Sequence, residues 1–369
     1  KTDAKYFIVS SGTLLDDIGV KATKKQKDRK DEVTTNVTAP DWLLKGRCDA
    51  VVFDEFHRYF RNRSSKFFGA AEKLFRNTEY VIPMSGSATS KGPQDLWPAL
   101  NICDHKFWSS YWKYVSTWCE VEDTAFGKRV GDPRTDKDSH GVSRVDKWRD
   151  AIRPYVSHVT DVMVGDQLPP LNRNFMDVKL PAWQMNAHNQ MRDQQFMETP
   201  DDEYIFSENS LVKVHKLRQM LICPKAVHPA WGIGEGLEAV HANAQESELT
   251  RYAIFTPFRP PILLFDEWLR AQGANVFWLA GGIGLEEQNR RLEMFDQSLR
   301  SATPEKPSIV LSTIKYGESW EIPQVKHDYF IGEEWDPEEN KQAEGRKRRL
   351  ISDGPVFSDR KSTRLNSSH

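Results

Sequence analysis

Two stretches of the chain alternate short apolar segments with amphipathic helical patterns, and this alternation limits the possible folds. In the first stretch, an apolar segment at residues 50–53 precedes a helical pattern over residues 67–75, and strand character returns at residues 80–84. A second stretch repeats the alternation from residue 252 and includes another apolar segment at residues 308–311. Because strands connected through helices run parallel, the sequence predicts an α/β fold with two parallel sheets.

The length of the chain, 369 residues, favours two compact domains with connecting material over a single core. Residues 183–222 are predicted to be mainly helical, and an early apolar segment at residues 6–9 predicts a buried strand. The C-terminal tail is polar and without periodicity, and residues 361–369 resemble a translated sequencing adapter, so we expect no packed element there and a non-native end. The predicted division is a first lobe at residues 1–122, a helical and irregular connector at 123–238, a second lobe at 239–350 and the polar tail at 351–369.

Composition and charge narrow the classes of function. Hydrophobic residues make up 38% of the chain, which is enough for packed cores and argues against wholesale disorder. The formal net charge is −2, from 51 basic and 53 acidic residues, so any contact with nucleic acid must come from local patches. The lysine-rich stretch at residues 21–30 mixes charge signs and is predicted to be a solvated loop.

The cysteines and the apolar runs indicate the compartment. The 4 cysteines are scattered without a C-x-x-C pair, so neither a zinc site nor a disulfide scaffold is predicted. No apolar run reaches the roughly 20 residues that span a bilayer, and no signal peptide is present. We therefore expect a soluble intracellular protein with no membrane partner, and because Lys1 is not an initiator methionine we expect its beginning to be missing.

Two acidic residues, Asp54 and Glu55, directly follow the apolar segment at residues 50–53. Open α/β sheets bind their ligands at the carboxyl ends of the strands. In a nucleotide hydrolase, one acid at this position helps hold Mg²⁺ against the phosphates, and a second orients and deprotonates the attacking water. Asp54 is predicted to be the metal ligand and Glu55 the base, although such a pair alone would also fit a helix cap or a loop.

The residues around this acidic pair resemble a known family. Asp-Glu-Phe-His at residues 54–57 resembles the Asp-Glu-x-His motif of Swi/Snf-type ATPases of helicase superfamily two, with Phe56 in place of the usual alanine. Residues 84–89, Met-Ser-Gly-Ser-Ala-Thr, are similar to the family's Leu-Thr-Gly-Thr-Pro segment. Residues 95–101, Asp-Leu-Trp-Pro-Ala-Leu-Asn, are similar to its Glu-Leu-Trp-x-Leu-Leu-Asn segment.

This resemblance implies two RecA-like lobes joined by a mainly helical connector, with ATP and Mg²⁺ as cofactors. It implies a catalytic role for His57 beside the two acids. It also implies that a loop couples the ATP site to nucleic acid through hydroxyl hydrogen bonds, and the loop residues concerned are Ser85, Gly86 and Ser87.

Three later segments extend the resemblance into the second lobe. Residues 311–320 resemble the family's fifth motif, which implies contact of Ser312 and Thr313 with the nucleic-acid backbone and of Gly317 with the cofactor. Residues 334–337, Glu-Trp-Asp-Pro, resemble the segment that follows. Residues 342–349 match the sixth motif, Gln-Ala-x-x-Arg-x-x-Arg, which implies cofactor binding by Gln342.

The two motif arginines, Arg346 and Arg349, are candidates for arginine fingers. Planar guanidinium groups bind phosphate oxygens bidentately and supply positive charge as the γ-phosphate leaves. Their spacing predicts that both lie on one face of a helix. Taken alone, residues 347–349 would instead indicate a solvated basic run or a localisation signal.

The phosphate-binding loop of such ATPases, G-x-x-x-x-G-K-[ST], does not occur in the sequence. We therefore expect a fragment that begins downstream of that loop and hydrolyses ATP poorly or not at all. For the complete protein, the resemblance implies an ATP hydrolase that moves along double-stranded DNA. The alternatives are a strand-separating DNA or RNA helicase of the same superfamily and a catalytically inactive nucleic-acid-binding protein.

Overall fold

The computed structural model describes residues 21–22, 35–36, 48–60, 63–76, 78–89, 92–125, 127–349, 351–352 and 354–362. The predicted strand at residues 6–9 lies outside these residues. The chain divides into two compact units, residues 1–158 and residues 159–369, so the division falls inside the predicted connector.

The described elements of the first unit are short strands and helices in alternation. Its strands are β1 (Lys21–Ala22), β2 (Thr35–Asn36), β3 (Ala50–Phe53), β4 (Tyr80–Pro83), β5 (Cys119–Thr124) and β6 (Gly127–Pro133). Its helices are α1 (His57–Phe60), α2 (Lys66–Phe75), α3 (Trp97–Cys103), α4 (Tyr111–Trp118) and α5 (Arg144–Ile152). Strands β3 and β4 pair in parallel, whereas β1 with β2 and β5 with β6 are antiparallel hairpin pairs.

Phenylalanine side chains build the centre of the first unit. Helix α2 begins where the Ser65 hydroxyl accepts a hydrogen bond from the Phe68 backbone N–H at 3.0 Å. The apolar face of this helix packs on β3 and α1, and the ring centroids of Phe53 and Phe60 lie 4.6 Å apart in an edge-to-face arrangement. This core fixes the end of β3, from which the two predicted acidic residues project.

The second unit contains a six-stranded sheet in which every neighbouring pair is parallel. The described strands of the whole unit are β7 (Leu171–Asp177), β8 (Phe196–Glu198), β9 (Tyr204–Phe206), β10 (Arg251–Thr256), β11 (Asn275–Leu279), β12 (Ser308–Thr313), β13 (His327–Phe330) and β14 (Val356–Ser362). The helices are α6 (Asp161–Val164), α7 (Ala182–Gln194), α8 (Ser210–Ile222), α9 (Glu235–Glu246), α10 (Pro260–Ala271), α11 (Leu285–Ser298) and α12 (Pro337–Glu344). The strand order is β11-β12-β10-β13-β14-β7, while β8 and β9 form a separate antiparallel hairpin.

The α/β class predicted from the sequence is confirmed by this parallel sheet and its helices. All six residues of β12 are buried, as expected of a central parallel strand that is covered on both faces. Helices α7 and α8 agree with the predicted helical character of residues 183–222, but the hairpin between them was not predicted. Helix α8 is only partly covered by the rest of the unit, since its Leu211 is 80% exposed.

The expectation of an unpacked tail is wrong for residues 356–362, because these residues form β14 between β13 and β7. Polar side chains of β14 are buried because they pair with polar side chains of the neighbouring strands. The Asp359 carboxylate accepts a hydrogen bond from Asn174 Nδ2 at 2.9 Å and lies 2.8 Å from His327 Nε2. Residues 363–369 lie outside the described part of the chain. None of the described helices is long and apolar enough to cross a membrane.

Candidate functional site

Asp54 and Glu55 form a turn at the carboxyl end of β3, as the sequence predicts. Two backbone hydrogen bonds hold this turn against the parallel strand: the Met84 N–H donates to the Phe53 carbonyl at 2.8 Å, and the Phe56 N–H donates to the Met84 carbonyl at 3.0 Å. Asp54 is exposed, and the Glu55 side chain is 40% exposed. The Asp54 carboxylate is thus near solvent at the sheet edge where ligands of α/β proteins bind, and Glu55 lies beside it with its Oε2 buried.

The backbone of Glu55 adopts a φ of 47°, in the left-handed region that side chains other than glycine rarely adopt. Such a conformation persists when the surrounding structure imposes it, and it occurs preferentially at functional sites. Here the two hydrogen bonds that flank the turn supply the constraint. The strain is consistent with a glutamate that is retained for its carboxylate.

His57 connects the acidic turn to the loop that follows β4. Its Nδ1 lies 2.7 Å from the Ser85 Oγ and 3.2 Å from the Glu55 Oε2, and the side chain is buried. The Ser85 Oγ also accepts a hydrogen bond from the Ser87 N–H at 2.9 Å. A shift of the loop at residues 85–87 would therefore move the His57 imidazole and change its contact with the Glu55 carboxylate. Gly86 lies between the two serines, and a Cβ there would meet no atom within 4 Å, so packing does not require glycine.

The remaining motif residues of the first unit serve its core. Phe56 is 3% exposed and packs against the Phe60 ring. Trp97 is buried between Phe68 and Tyr111, and the Asn101 Nδ2 donates to the Trp108 carbonyl at 3.0 Å. The segment at residues 95–101 accordingly supports the acidic turn by packing.

The fifth-motif residues Ser312 and Thr313 lie at the carboxyl end of β12, which is the second of the six strands in the second unit's sheet. Ser312 and Thr313 are both buried, and the Ser312 hydroxyl donates to the Thr313 carbonyl at 3.0 Å. Thr313 is in register with Thr256 of β10, so two hydroxyl-bearing residues end neighbouring strands. Gly317 lies in the 3-10 turn Ile314–Ser319 that follows. Contact of these residues with a nucleic acid or a nucleotide stays a prediction.

The sixth-motif arginines do not lie on a helical face, which corrects the sequence prediction. Helix α12 ends at Glu344, and Arg346 and Arg349 lie in the segment beyond it. The Arg346 Nη1 donates to the Trp320 carbonyl at 3.3 Å, and the Arg349 Nη2 lies 2.8 Å from a carboxylate oxygen of Glu321. The two arginines contact residues that are adjacent in the sequence, 320 and 321. Gln342 is half-buried on α12.

Three neighbours of these arginines anchor the segment. The Glu344 carboxylate, which is 2% exposed, accepts hydrogen bonds from Arg173 Nε at 2.9 Å and from Arg173 Nη2 at 2.6 Å. Lys347 forms a buried ion pair with Asp328 of β13, and the Arg348 Nε donates to the Pro169 carbonyl at 2.9 Å. Residues 347–349 are therefore not a solvated basic run.

Burial and pairing set the charge states of the two anchoring carboxylates. Burial raises the pKa of Asp328, although the Lys347 ammonium opposes this effect. Burial also acts to raise the pKa of Glu344, but the hydrogen bonds and charge of Arg173 outweigh it, so the pKa is lowered. The sequence motif gave no sign of Arg173 or Asp328, since each lies on a strand outside residues 342–349.

No protein-family model matches the chain, and no curated protein is similar to it at a significant level. Among solved structures, the chain is similar to the C-terminal part of the Fun30 ATPase domain, with 12% identity, a TM-score of 0.39, and coverage of 54% of this chain and 86% of that chain. It is also similar to a Sulfolobus solfataricus SWI2/SNF2 ATPase core in complex with dsDNA, with 17% identity, a TM-score of 0.37, and coverage of 85% of this chain and 63% of that chain.

A second structure of the Sulfolobus solfataricus SWI2/SNF2 ATPase core domain gives 15% identity, a TM-score of 0.36, and coverage of 85% of this chain and 61% of that chain. The chain thus spans less than two thirds of the length of these archaeal cores.

Proposed function

We propose that these residues are part of a nucleic-acid-dependent ATPase motor that couples ATP hydrolysis to movement along double-stranded DNA. The observation that carries the proposal is the acidic turn of Asp54 and Glu55 at the carboxyl end of β3, linked through His57 to the Ser85 hydroxyl after the parallel strand β4. In this arrangement the His57 side chain connects the proposed hydrolytic pair to a neighbouring loop.

The donor set at this turn fits a magnesium nucleotide. Mg²⁺ prefers carboxylate oxygens and water, and Asp54 offers an exposed carboxylate there. When bound, the ion would neutralise phosphate charge. Glu55 would orient a water molecule and accept its proton, because its carboxylate is partly exposed and next to the metal ligand. The phosphate-binding loop of such motors does not occur in this sequence, so no residue here is assigned to cradle the β- and γ-phosphates.

The other candidate residues complete the proposed machinery. Ser85 and Ser87 would pass loop movement to Glu55 through His57, by the hydrogen bonds already described. Arg346 and Arg349 would exchange their present acceptors, the Trp320 carbonyl and the Glu321 carboxylate, for phosphate oxygens.

A catalytically inactive nucleic-acid-binding protein is the second candidate. G-x-x-x-x-G-K-[ST] does not occur within these residues, so a nucleotide bound to them alone would lack its main phosphate contacts. The two candidates differ in whether loss of the Glu55 carboxylate changes ATP turnover.

The test uses a protein in which these residues are joined to a phosphate-binding loop. We expect duplex DNA to stimulate its ATPase activity more than RNA does, and the stimulation to weaken steeply with salt, because backbone phosphates dominate such contacts. Glu55→Gln should leave ATP binding intact and abolish turnover, since the amide keeps the shape but cannot accept a proton. Glu79→Gln, at an exposed position before β4, is the matched control.

Two outcomes would contradict the proposal. A loss of turnover smaller than about tenfold in Glu55→Gln would remove Glu55 from catalysis, because general-base catalysis contributes about 10² to 10⁴. Equal stimulation by RNA and duplex DNA at matched salt would instead favour a strand-separating helicase.

A further inference from the structure

The β8–β9 hairpin of the second unit has one buried face and one exposed face. Strand pairing places Met197 opposite Ile205, and both side chains pack into a small core with Met191, Met220 and Trp231. The alternation of a strand sends their neighbours to the other side. The hairpin is therefore fixed to the unit by its inner face, and its outer face is available.

The outer face carries three aromatic rings in mutual contact. Phe196 lies opposite Phe206, and their ring centroids are 6.1 Å apart. The Tyr204 centroid lies 5.7 Å from that of Phe196 and 6.3 Å from that of Phe206. Tyr204 is 54% exposed and Phe206 is 64% exposed. An exposed aromatic cluster of this kind marks an interaction surface more often than a packing feature.

The hairpin and the residues that flank it are rich in acidic side chains. Residues 195–212 contain five acidic residues and neither lysine nor arginine, whereas the whole chain is nearly balanced at 53 acidic and 51 basic residues. The Glu203 carboxylate lies 3.2 Å from His228 Nε2, and an Asp201 oxygen lies 3.7 Å from His228 Nδ1. The other three acidic residues, which are all exposed, are Glu198, Asp202 and Glu208.

Two of the nearby cations have acceptors of their own. The Lys216 ammonium donates to the Phe206 carbonyl at 2.8 Å, and the Arg192 guanidinium donates to the adjacent Asp193 carboxylate at 2.7 Å. The surface thus combines electron-rich ring faces with carboxylates.

We propose that the outer face of the β8–β9 hairpin binds a lysine- or arginine-rich peptide segment of a partner protein. Cationic side chains are attracted to the faces of tyrosine and phenylalanine rings and pair with carboxylates, so both features of the surface favour the same ligand. A nucleic acid would also stack on the rings, but its phosphates would be repelled by the carboxylates. This site is independent of ATP hydrolysis.

The test uses the chain itself and a short fluorescent peptide of alternating lysine, arginine and glycine, with binding followed by fluorescence anisotropy. We expect Tyr204→Ala and Phe206→Ala each to weaken binding about two- to thirtyfold, the range of cation–π contacts. Replacing the three acids that do not contact His228, by Glu198→Gln, Asp202→Asn and Glu208→Gln together, should weaken binding and flatten its dependence on salt. Phe107→Ala is the matched control, because Phe107 is 66% exposed and lies in the first unit.

Circular dichroism of each variant shows whether the fold is retained. Peptide binding that is unchanged in both Tyr204→Ala and Phe206→Ala would overturn the proposal. So would a preference of this face for single-stranded oligonucleotides over the peptide. A concentration-dependent dimer that Phe206→Ala dissolves, without peptide binding, would show instead that the face joins two copies of the chain.

Discussion

The acidic turn of the first unit and the sixth-motif segment of the second hold their charged residues in opposite ways. Asp54, which is exposed, and Glu55, which is partly exposed, lie in a turn that backbone hydrogen bonds fix. The segment at residues 344–349 is fixed by buried charges, of which Lys347 with Asp328 is the deepest pair. Side-chain charge in the first region is therefore available for ligands at little cost to stability, whereas in the second region part of it maintains the fold.

Substitution of the two arginines of the sixth-motif segment should give the largest effect, which is a loss of ATP turnover. In a protein that joins these residues to a phosphate-binding loop, Arg346→Ala and Arg349→Ala should each slow ATP turnover by about 10³ to 10⁵, as the loss of an arginine finger does. Steady-state hydrolysis measures the effect, and Arg300→Ala at an exposed position is the control. If both variants hydrolysed ATP normally, Arg346 and Arg349 would have only a structural role, as their neighbours in the segment do.

Removing one partner of the buried pair should give the next largest effect. Lys347→Met leaves the Asp328 carboxylate buried without its cation, so we expect the free energy of unfolding to fall by about 3 to 5 kcal/mol. Urea unfolding measures this quantity. The control is Lys306→Met, at an exposed position, with an expected change within about 0.5 kcal/mol. Equal effects of the two substitutions would show that the pair does not anchor the segment.

The Glu344 carboxylate should contribute a pH-dependent stability. Burial opposes its ionisation, but Arg173 lowers its pKa in the folded state, so the contribution is present above the unfolded pKa of about 4.3 and is lost as the pH falls through the lowered value. Glu344→Gln should reduce the free energy of unfolding by about 1.5 to 3 kcal/mol at neutral pH. The difference from the unsubstituted chain should shrink below about pH 4. A difference that grew on acidification would contradict this sign.

The sequence predicts the acidic turn better than the sixth-motif segment. The difference arises because the turn follows from local patterns, whereas the segment depends on contacts with other strands. The acidic turn follows from local patterns, because a buried strand ends at Phe53 and parallel pairing with β4 brings Ser85 to His57. The sixth-motif geometry depends on contacts across the sheet, with Arg173 on β7 and Asp328 on β13, which no local pattern encodes. Helical spacing consequently suggested one face for Arg346 and Arg349, although α12 ends before either.

Strand β14 escaped prediction for a related reason. Its buried positions include Ser358 and Asp359, and polar residues give no signal of a buried strand. The burial is stabilised only when His327 and Asn174 satisfy the Asp359 carboxylate, and both belong to other strands of the sheet. The β8–β9 hairpin shows the reverse case, since its outer aromatic residues suggest burial but are exposed.

The smallest effect on stability is expected at the acidic turn itself. Asp54→Asn removes one exposed charge with little change of shape, so the free energy of unfolding should change by no more than about 0.5 kcal/mol. The same chemical change at a buried position, Asp328→Asn, is the matched comparison and should cost several times more, because it leaves the Lys347 ammonium buried without a counter-charge. Urea unfolding of both variants under one set of conditions measures the contrast. A loss above about 1 kcal/mol in Asp54→Asn would mean that the carboxylate supports the turn, and its availability to a metal ion would then have to be reconsidered, since a group that holds the fold is not free to change partners without cost.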